Sequence, residues 1–195
     1  MTQASSGMAA ALAITSGNFT FTNTSLEGVK IVDVACFGDE RGYFMETYKR
    51  SDFLVGGIDA EFVQDNQSSS SKGVLRGLHF QIARPQAKLV RVVSGEVFDV
   101  AVDLRKDSPS YGKWEGVVLS AENRRQFFIP RGFAHGFLVL SQTAEFAYKC
   151  DDVYRPGDEG GLLWSDVDVN ISWPPLDCAY VLSEKDRANP CLKEL

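Results

Sequence analysis

An all-β fold, a sandwich or barrel of antiparallel strands, is the class this sequence predicts, and three observations carry the prediction. The 195-residue chain is 44% hydrophobic and holds thirteen Phe, six Tyr and three Trp, a composition suited to pleated, half-buried strands. Its apolar runs are short and punctuated by Gly, Pro, Asn, Asp and Ser, as strands are by turns. No stretch alternates strand and helix patterns in the way a parallel βαβ fold requires. The length suits one well-filled core and is short for two domains. Residues 1–17, uncharged and rich in Ala, Ser and Gly, read as a flexible leader or remnant outside the fold, which leaves 18–195 as a single domain.

Taken in order, the first strand candidate is 28–37, where Val29, Ile31, Val32 and Val34 are β-branched. The next is 74–80, VLRGLHF, apolar but broken by Gly77. The clearest is 88–104, KLVRVVSGEVFDVAVDL, in which Ser94-Gly95 separates two β-branched runs and reads as a hairpin turn. In its second half Phe98, Val100, Val102 and Leu104 share one face, expected to be core, while Asp99, Ala101 and Asp103 share the other, expected to carry carboxylates. Further strands are expected at 114–119, 126–129, 136–140 and 145–149. The tail 177–195 brings Lys185, Asp186 and Arg187 together and is expected to pack as a short helix and loop across one end, so helical content is minor. Many short antiparallel strands of this kind point to a sandwich or barrel, and among these a jelly roll of the cupin type is expected.

Composition also excludes partners and sites. A net charge of -6 with no Lys or Arg run argues against nucleic acid. The four cysteines, Cys36, Cys150, Cys178 and Cys191, form no CxxC pair, so neither a zinc knuckle nor a disulfide framework is indicated and reduced thiols in cytoplasm are expected. The apolar stretch 8–14 is short and lacks a basic residue before it, unlike a signal peptide, and no run reaches membrane-spanning length.

Only two histidines occur, His79 in GLHFQ and His135 in GFAHGF. Metal-binding cupins gather several His, with a pair spaced as HxH so that both face inward. Here Gln81 stands at the second position of that pair, and no metal is expected. Polar residues crowd His79: Arg76, Gln81 and Lys88, costly in a β-rich interior unless paired or binding something. By strand parity His79 and Gln81 share a face and Arg76 points away, so a common pocket requires a bulge, placed at Gly77. Arg41 and Glu46 surround two aromatics in DERGYFME, and 64–67, QDNQ, is a dense amide cluster; a charged turn and a polar loop are the ordinary explanations. Tyr148 and Tyr154 near the end of the last strand can pack as hydrophobes with polar tips, or donate a proton beside a cation.

The segments GVLRGLHFQ, QAKLVRV, DVAVDLR, IPRGFAHGF and YKCDDVY, in that order, resemble those of the dTDP-4-dehydrorhamnose 3,5-epimerases, from about residue 28 to 192. The resemblance implies a homodimeric, cofactor-independent cupin-type jelly roll that binds dTDP-4-dehydro-6-deoxy-D-glucose and inverts C3 and C5. It implies His79 as general base, Tyr148 as general acid, Asp186 as the carboxylate orienting the histidine, and Lys88 beside the substrate ketone, with Asp99 as its orienting partner. Arg41, Phe44, Glu46, Gln64, Asn66, Arg76, His135, Glu159 and Lys185 correspond to binding positions, and Tyr154 to the aromatic that stacks on the thymine. The loop 81–86 departs from the family pattern, with Ile-Ala-Arg where a Pro-rich turn is usual.

Two other readings use the same residues. A single-carbon epimerase or a 3,4-ketoisomerase of a dTDP-4-keto sugar also needs a base beside a ketone. A non-catalytic nucleotide-sugar-binding module would keep Arg41, Arg76 and Tyr154 but has no use for His79, Lys88, Tyr148 and Asp186 together. A metal-dependent cupin oxygenase is disfavoured by the histidine count.

Overall fold

The computed structural model describes residues 12–195, and among them the chain is built almost wholly of strands. β1 (Ala13–Ser16), β2 (Phe19–Asn23) and β3 (Lys30–Val34) lead into an isolated hairpin of β4 (Phe37–Asp39) and β5 (Gly42–Phe44), and helix α1 (Arg50–Val55) follows. β6 (Gln64–Ser71), β7 (Leu75–Gln81), β8 (Lys88–Ser94), β9 (Glu96–Asp103), β10 (Trp114–Ser120), β11 (Gln126–Ile129), β12 (Phe133–Val139) and β13 (Thr143–Cys150) form the body. β14 (Glu159–Gly161) and the short helix α2 (Glu184–Arg187) close the chain. Strands order as β1-β2-β3-β11-β8-β13-β6 in a seven-stranded sheet and β10-β9-β12-β7-β14 in a five-stranded one. Neighbouring strands in both sheets run antiparallel, the two-layer jelly-roll architecture that the strand spacing predicts. No helix among the described residues is long and apolar enough to cross a membrane.

The hydrophobic interior has three layers. Between the sheets lie Val90, Val92, Phe127 and Phe146 from the large sheet against Val97, Ala101, Phe137 and Val139 from the small one. The outer face of the large sheet buries Phe19, Phe21 and Leu89 under Phe53 of α1 and Ile58, with Phe53 meeting Phe19 and Phe21 edge-on at centroid distances of 5.0 and 5.1 Å. The outer face of the small sheet buries Leu78, Val100 and Val102 under Leu162, Val169 and Trp173 of the C-terminal segment. Because each sheet is covered on both sides, its central strands lose the alternation of a half-exposed strand.

Four expectations are corrected by this architecture. The Ser94-Gly95 turn is not a hairpin: β8 pairs with β11 and β13, whereas β9 pairs with β10 and β12. Gly95 alone separates the strands, at φ 80°, and turns the chain through a corner from one sheet to the other. A Cβ there would sit 2.1 Å from the Thr143 carbonyl oxygen, so glycine is required by close approach as well as by φ. In β9 both faces are buried, and Asp99 and Asp103 are 0% exposed on the inward face. The amide cluster 64–67 is not a loop but the start of the edge strand β6, paired along its whole length with β13; the strand lacks apolar alternation because its inner face lines a polar cavity, and polar residues suit an unpaired edge. Finally, the segment set aside as a leader contributes β1, which pairs with β2 through a two-residue loop opened by Gly17 at φ 56°; residues 1–11 of that segment lie outside the described residues.

Candidate active site

The bulge that parity requires is present. His135 opposes His79 and Phe137 opposes Arg76, so three steps along β7 match two along β12. Gly77 absorbs the extra residue at φ 126°, where a Cβ would lie 2.7 Å from the Gly136 Cα. Since directly paired residues share a face, Arg76 and His79 both stand on the inner face of the small sheet. Across from them, Cys150 opposes both Lys88 and Gln64, while Tyr148 opposes Asn66, which puts these side chains on one face of the large sheet. The two faces enclose a cavity of about 270 Å³ at one end of the sandwich, with His79, Gln81 and Glu159 on one wall and Asn66, Lys88 and Tyr148 on the other.

His79 is held from behind. Its Nε2–H donates to Asp186 Oδ1 at 2.6 Å, and Asp186 Oδ2 accepts from the Gly77 N–H at 3.3 Å. Asp186 is 4% exposed and sits in α2, whose N-cap Ser183 accepts from the Asp186 N–H at 3.1 Å. Burial alone would raise this carboxyl, but the hydrogen bond and charge of His79, with Gly77 and Ser183, outweigh burial and hold it below the usual carboxylate range. With Nε2 committed to Asp186, His79 Nδ1 keeps its lone pair. His79 is the more open member, its side chain 38% exposed.

Lys88 opens β8 on the opposite wall. Burial pushes its ammonium down from the ordinary lysine range, opposed by the neighbouring Cys150, Asp99 and Glu159. Asp99, expected to orient Lys88, instead directs both carboxylate oxygens at His135 Nε2, each at 3.0 Å, and reaches Lys88 through charge. His135 is buried beneath the cavity rather than on its wall, stacked on Phe146 at 6.0 Å. Burial pulls its imidazole down and the nearby Lys88 charge adds to this, while the charge and hydrogen bond of Asp99 act the other way.

Tyr148 reaches the cavity from β13. Burial first, then the neighbouring Cys150, push its phenol up, with Arg76 acting the other way, so the O–H stays protonated and available as a donor. Cys150, two residues on and on the same face, is a buried thiol pushed up to about 11 by desolvation. Beyond it residues 151–158 form a strap over the mouth. Tyr154 lies on it, 46% exposed, with its backbone N–H donating to Gln64 Oε1 at 2.8 Å. Glu159, at the start of β14, pairs with Lys185; that contact holds its carboxylate below the ordinary range, and a hydrogen bond with Tyr154 adds to the effect.

Of the sequence-derived candidates, the cavity thus gathers His79, Lys88, Tyr148, Gln64, Asn66, Tyr154 and Glu159, with Asp186 and Lys185 directly behind. Arg76 stands outside it, its Nε donating to Ser70 Oγ at 3.0 Å across to β6. Arg41, Phe44 and Glu46 are elsewhere: Arg41 pairs with Asp39 in the exposed β4–β5 hairpin, Phe44 is 69% exposed there, and Glu46 Oε2 accepts from Asn18 Nδ2 at 3.4 Å. Cys150 and Gln86 line the cavity without having been singled out; parity with Tyr148 points to Cys150, whereas Gln86 lies in a loop that carries no periodic signal. Among the described residues no three His, Cys, Asp or Glu side chains converge to hold a metal ion.

Comparison with known proteins agrees with this geometry. Residues 23–194 match the family model described as dTDP-4-dehydrorhamnose 3,5-epimerase. The enzyme of that name from Methanothermobacter thermautotrophicus is 54% identical over 177 residues, covering 90% of this chain and 96% of the relative. Among solved structures, a dTDP-6-deoxy-D-glucose-3,5-epimerase from Legionella pneumophila in complex with dTDP-4-keto-L-rhamnose superposes with a TM-score of 0.87 at 50% identity, covering 90% of this chain and 93% of that one. A 3′-monoepimerase from Streptomyces bikiniensis in complex with dTDP-quinovose is more distant, with a TM-score of 0.81 at 32% identity over 87% of this chain and 86% of its own. Matched over nearly its whole described length, the chain belongs to the dTDP-4-dehydrorhamnose 3,5-epimerase family.

Proposed function

We propose that this protein epimerises dTDP-4-dehydro-6-deoxy-D-glucose at C3 and C5 to dTDP-4-dehydro-L-rhamnose. One observation carries the reading: an oriented imidazole and a protonated phenol project into one cavity from opposing sheets. Inversion at carbon needs a proton removed from one face of the ring and another delivered to the opposite face. His79 on the small sheet and Tyr148 on the large sheet supply those two directions.

The carbons beside a ketone are weak acids, so deprotonation needs a positioned base and a cation for the developing oxyanion. His79 takes the proton through the nitrogen not engaged by Asp186, and Asp186 stabilises the imidazolium that results. Lys88 lies across the cavity, where its ammonium faces the enolate oxygen at C4. Tyr148 then gives its phenolic proton to the carbanion from the other side. Both groups return to their starting states by exchange with water, so the net reaction is an isomerisation. A second cycle at the other carbon completes the conversion.

Tyr154 on the strap supplies a face for the thymine, with Glu159 and Lys185 beside it. Arg41 and Phe44 do not reach the cavity of their own chain, although family resemblance assigns them to the substrate. We place them in the site of a second copy, in a homodimer; the exposed aromatics of the β4–β5 hairpin, Phe37, Tyr43 and Phe44 at 55%, 59% and 69%, support an interface there. All four cysteines are free thiols, which fits a cytoplasmic protein. The test is conversion of dTDP-4-dehydro-6-deoxyglucose by the purified protein, followed by proton NMR, beside the His79→Ala variant. Formation of the L-configured product by the wild type and not by the variant is expected. A product inverted at one carbon selects the single-carbon epimerase, and turnover by His79→Ala at the wild-type rate overturns the mechanism.

A further inference from the structure

We propose that Gln81 is a positioning residue for the nucleotide end of the site, acting as a latch on the strap that carries Tyr154. The inference rests on the reading of Tyr154 as the stacking face for the base. Gln81 is 5% exposed and stands two residues past His79, where a metal-binding jelly roll would place a second imidazole. Its amide bonds to the strap instead, through both its nitrogen and its oxygen. Nε2 donates to the Arg155 carbonyl at 3.1 Å, and Oε1 accepts from the Arg155 N–H at 3.3 Å.

A side chain here reproduces the two-bond exchange made by paired residues of an antiparallel ladder. The backbone of Gln81 pairs with Glu159, and the next N–H, of Ile82, donates to the Asp158 carbonyl at 2.9 Å. Gln81 therefore holds both ends of the turn 155–159, with Tyr154 immediately before it and Glu159 closing it. A second buried amide, Gln86, donates to the Asp152 carbonyl at 2.6 Å, and from the other sheet Gln64 accepts from the Tyr154 N–H at 2.8 Å. The strap is thus tied to both walls of the cavity through side-chain amides. With Tyr154 46% exposed, packing constrains its ring weakly, and the latched backbone fixes where the ring stands.

The Gln81 amide supplies a donor and an acceptor at once, and the strap uses both. Gln81→Met keeps the length and removes both, while Gln81→Glu keeps an acceptor for the Arg155 N–H and loses the donor. The experiment is a titration of dTDP into wild type, Gln81→Met, Gln81→Glu, Tyr154→Ala and the Gln81→Met/Tyr154→Ala double variant, with kcat and KM for the sugar nucleotide on each. Gln81→Met is expected to weaken dTDP by roughly tenfold, from two lost buried hydrogen bonds, with the loss falling on KM rather than kcat and Gln81→Glu lying between it and wild type. In the Tyr154→Ala background the same change is expected to alter affinity by less than about twofold, because residues acting through one group are not additive. Wild-type affinity in Gln81→Met, or an equal loss with and without Tyr154, overturns the inference. Wild-type affinity in Tyr154→Ala removes the stacking reading and the inference with it, a result distinct from failure of the latch alone.

Discussion

Replacing Asp186 by Asn should harm catalysis more than replacing it by Ala, although Asn is the closer mimic. Asp186 uses one oxygen for the Gly77 N–H at 3.3 Å and the other for His79 Nε2 at 2.6 Å. In Asp186→Asn the single amide oxygen stays with Gly77, and the amide nitrogen then faces His79. An N–H donor against Nε2 forces that nitrogen to become the acceptor, which moves the ring proton to Nδ1, the nitrogen that must act as base. The carboxylate's charge-assisted bond to the imidazolium is lost as well, about 1.5–3 kcal/mol or roughly 10–150-fold. With the tautomer reversed the total approaches the roughly 10⁴-fold seen when a catalytic histidine is held in the wrong tautomer. Asp186→Ala loses the charge but leaves the ring free to choose, so its deficit should stay near the lower range. The assay is kcat for epimerisation by NMR on both variants, with dTDP affinity as the control for an intact site. An Asp186→Asn variant as active as Asp186→Ala, or more so, refutes the assigned orientation of His79.

Three other outcomes follow from the same geometry. Tyr148→Phe should still let His79 exchange the substrate's acidic protons with solvent while net inversion falls by roughly 10²–10⁴-fold; equal loss of exchange and inversion, followed in deuterium oxide, would count against separate acid and base. Lys88→Met should lower kcat by roughly 10²–10³-fold through loss of oxyanion stabilisation, with little change in dTDP affinity; a defect confined to KM would move Lys88 out of the chemistry. Asp103 is buried, which raises its carboxyl, but hydrogen bonds from Arg105, Ser108 and Ser110 hold it far below the usual range. A carboxyl depressed in the folded state stabilises above its unfolded value near 3.8 and loses that contribution as pH falls through its folded value. Thermal melts should therefore drop more steeply as pH falls from about 4 to about 2 in wild type than in Asp103→Asn.

The parts of the fold set by local pattern were legible. The strand at 126–129 coincides with β11, and the bulge at Gly77 follows from parity once Arg76 and His79 are asked to share a face. What pattern did not reveal was long-range. Whether Ser94-Gly95 joins partners or crosses between sheets depends on what β8 and β9 pair with, and apolar runs flanking a glycine look alike in both cases. β6 went unread because its sequence answers to the cavity it lines, QDNQ, rather than to the core. The same logic divides the site. His79, Gln81 and Lys88 were visible as polar residues intruding on strands. The Asp99–His135 contact requires β9 and β12 to be neighbours, and the latch by Gln81 requires the strap to fold back over β7. Neither adjacency is encoded near those residues in the chain.

In the proposed mechanism His79 and Tyr148, from opposing sheets, move protons at both carbons flanking the ketone. Proton NMR of wild-type protein with dTDP-4-dehydro-6-deoxyglucose in deuterium oxide follows both protons at once. Loss of both the C3 and C5 proton signals, with deuterium in the inverted product, is the predicted result. Product formed with either proton retained would contradict it.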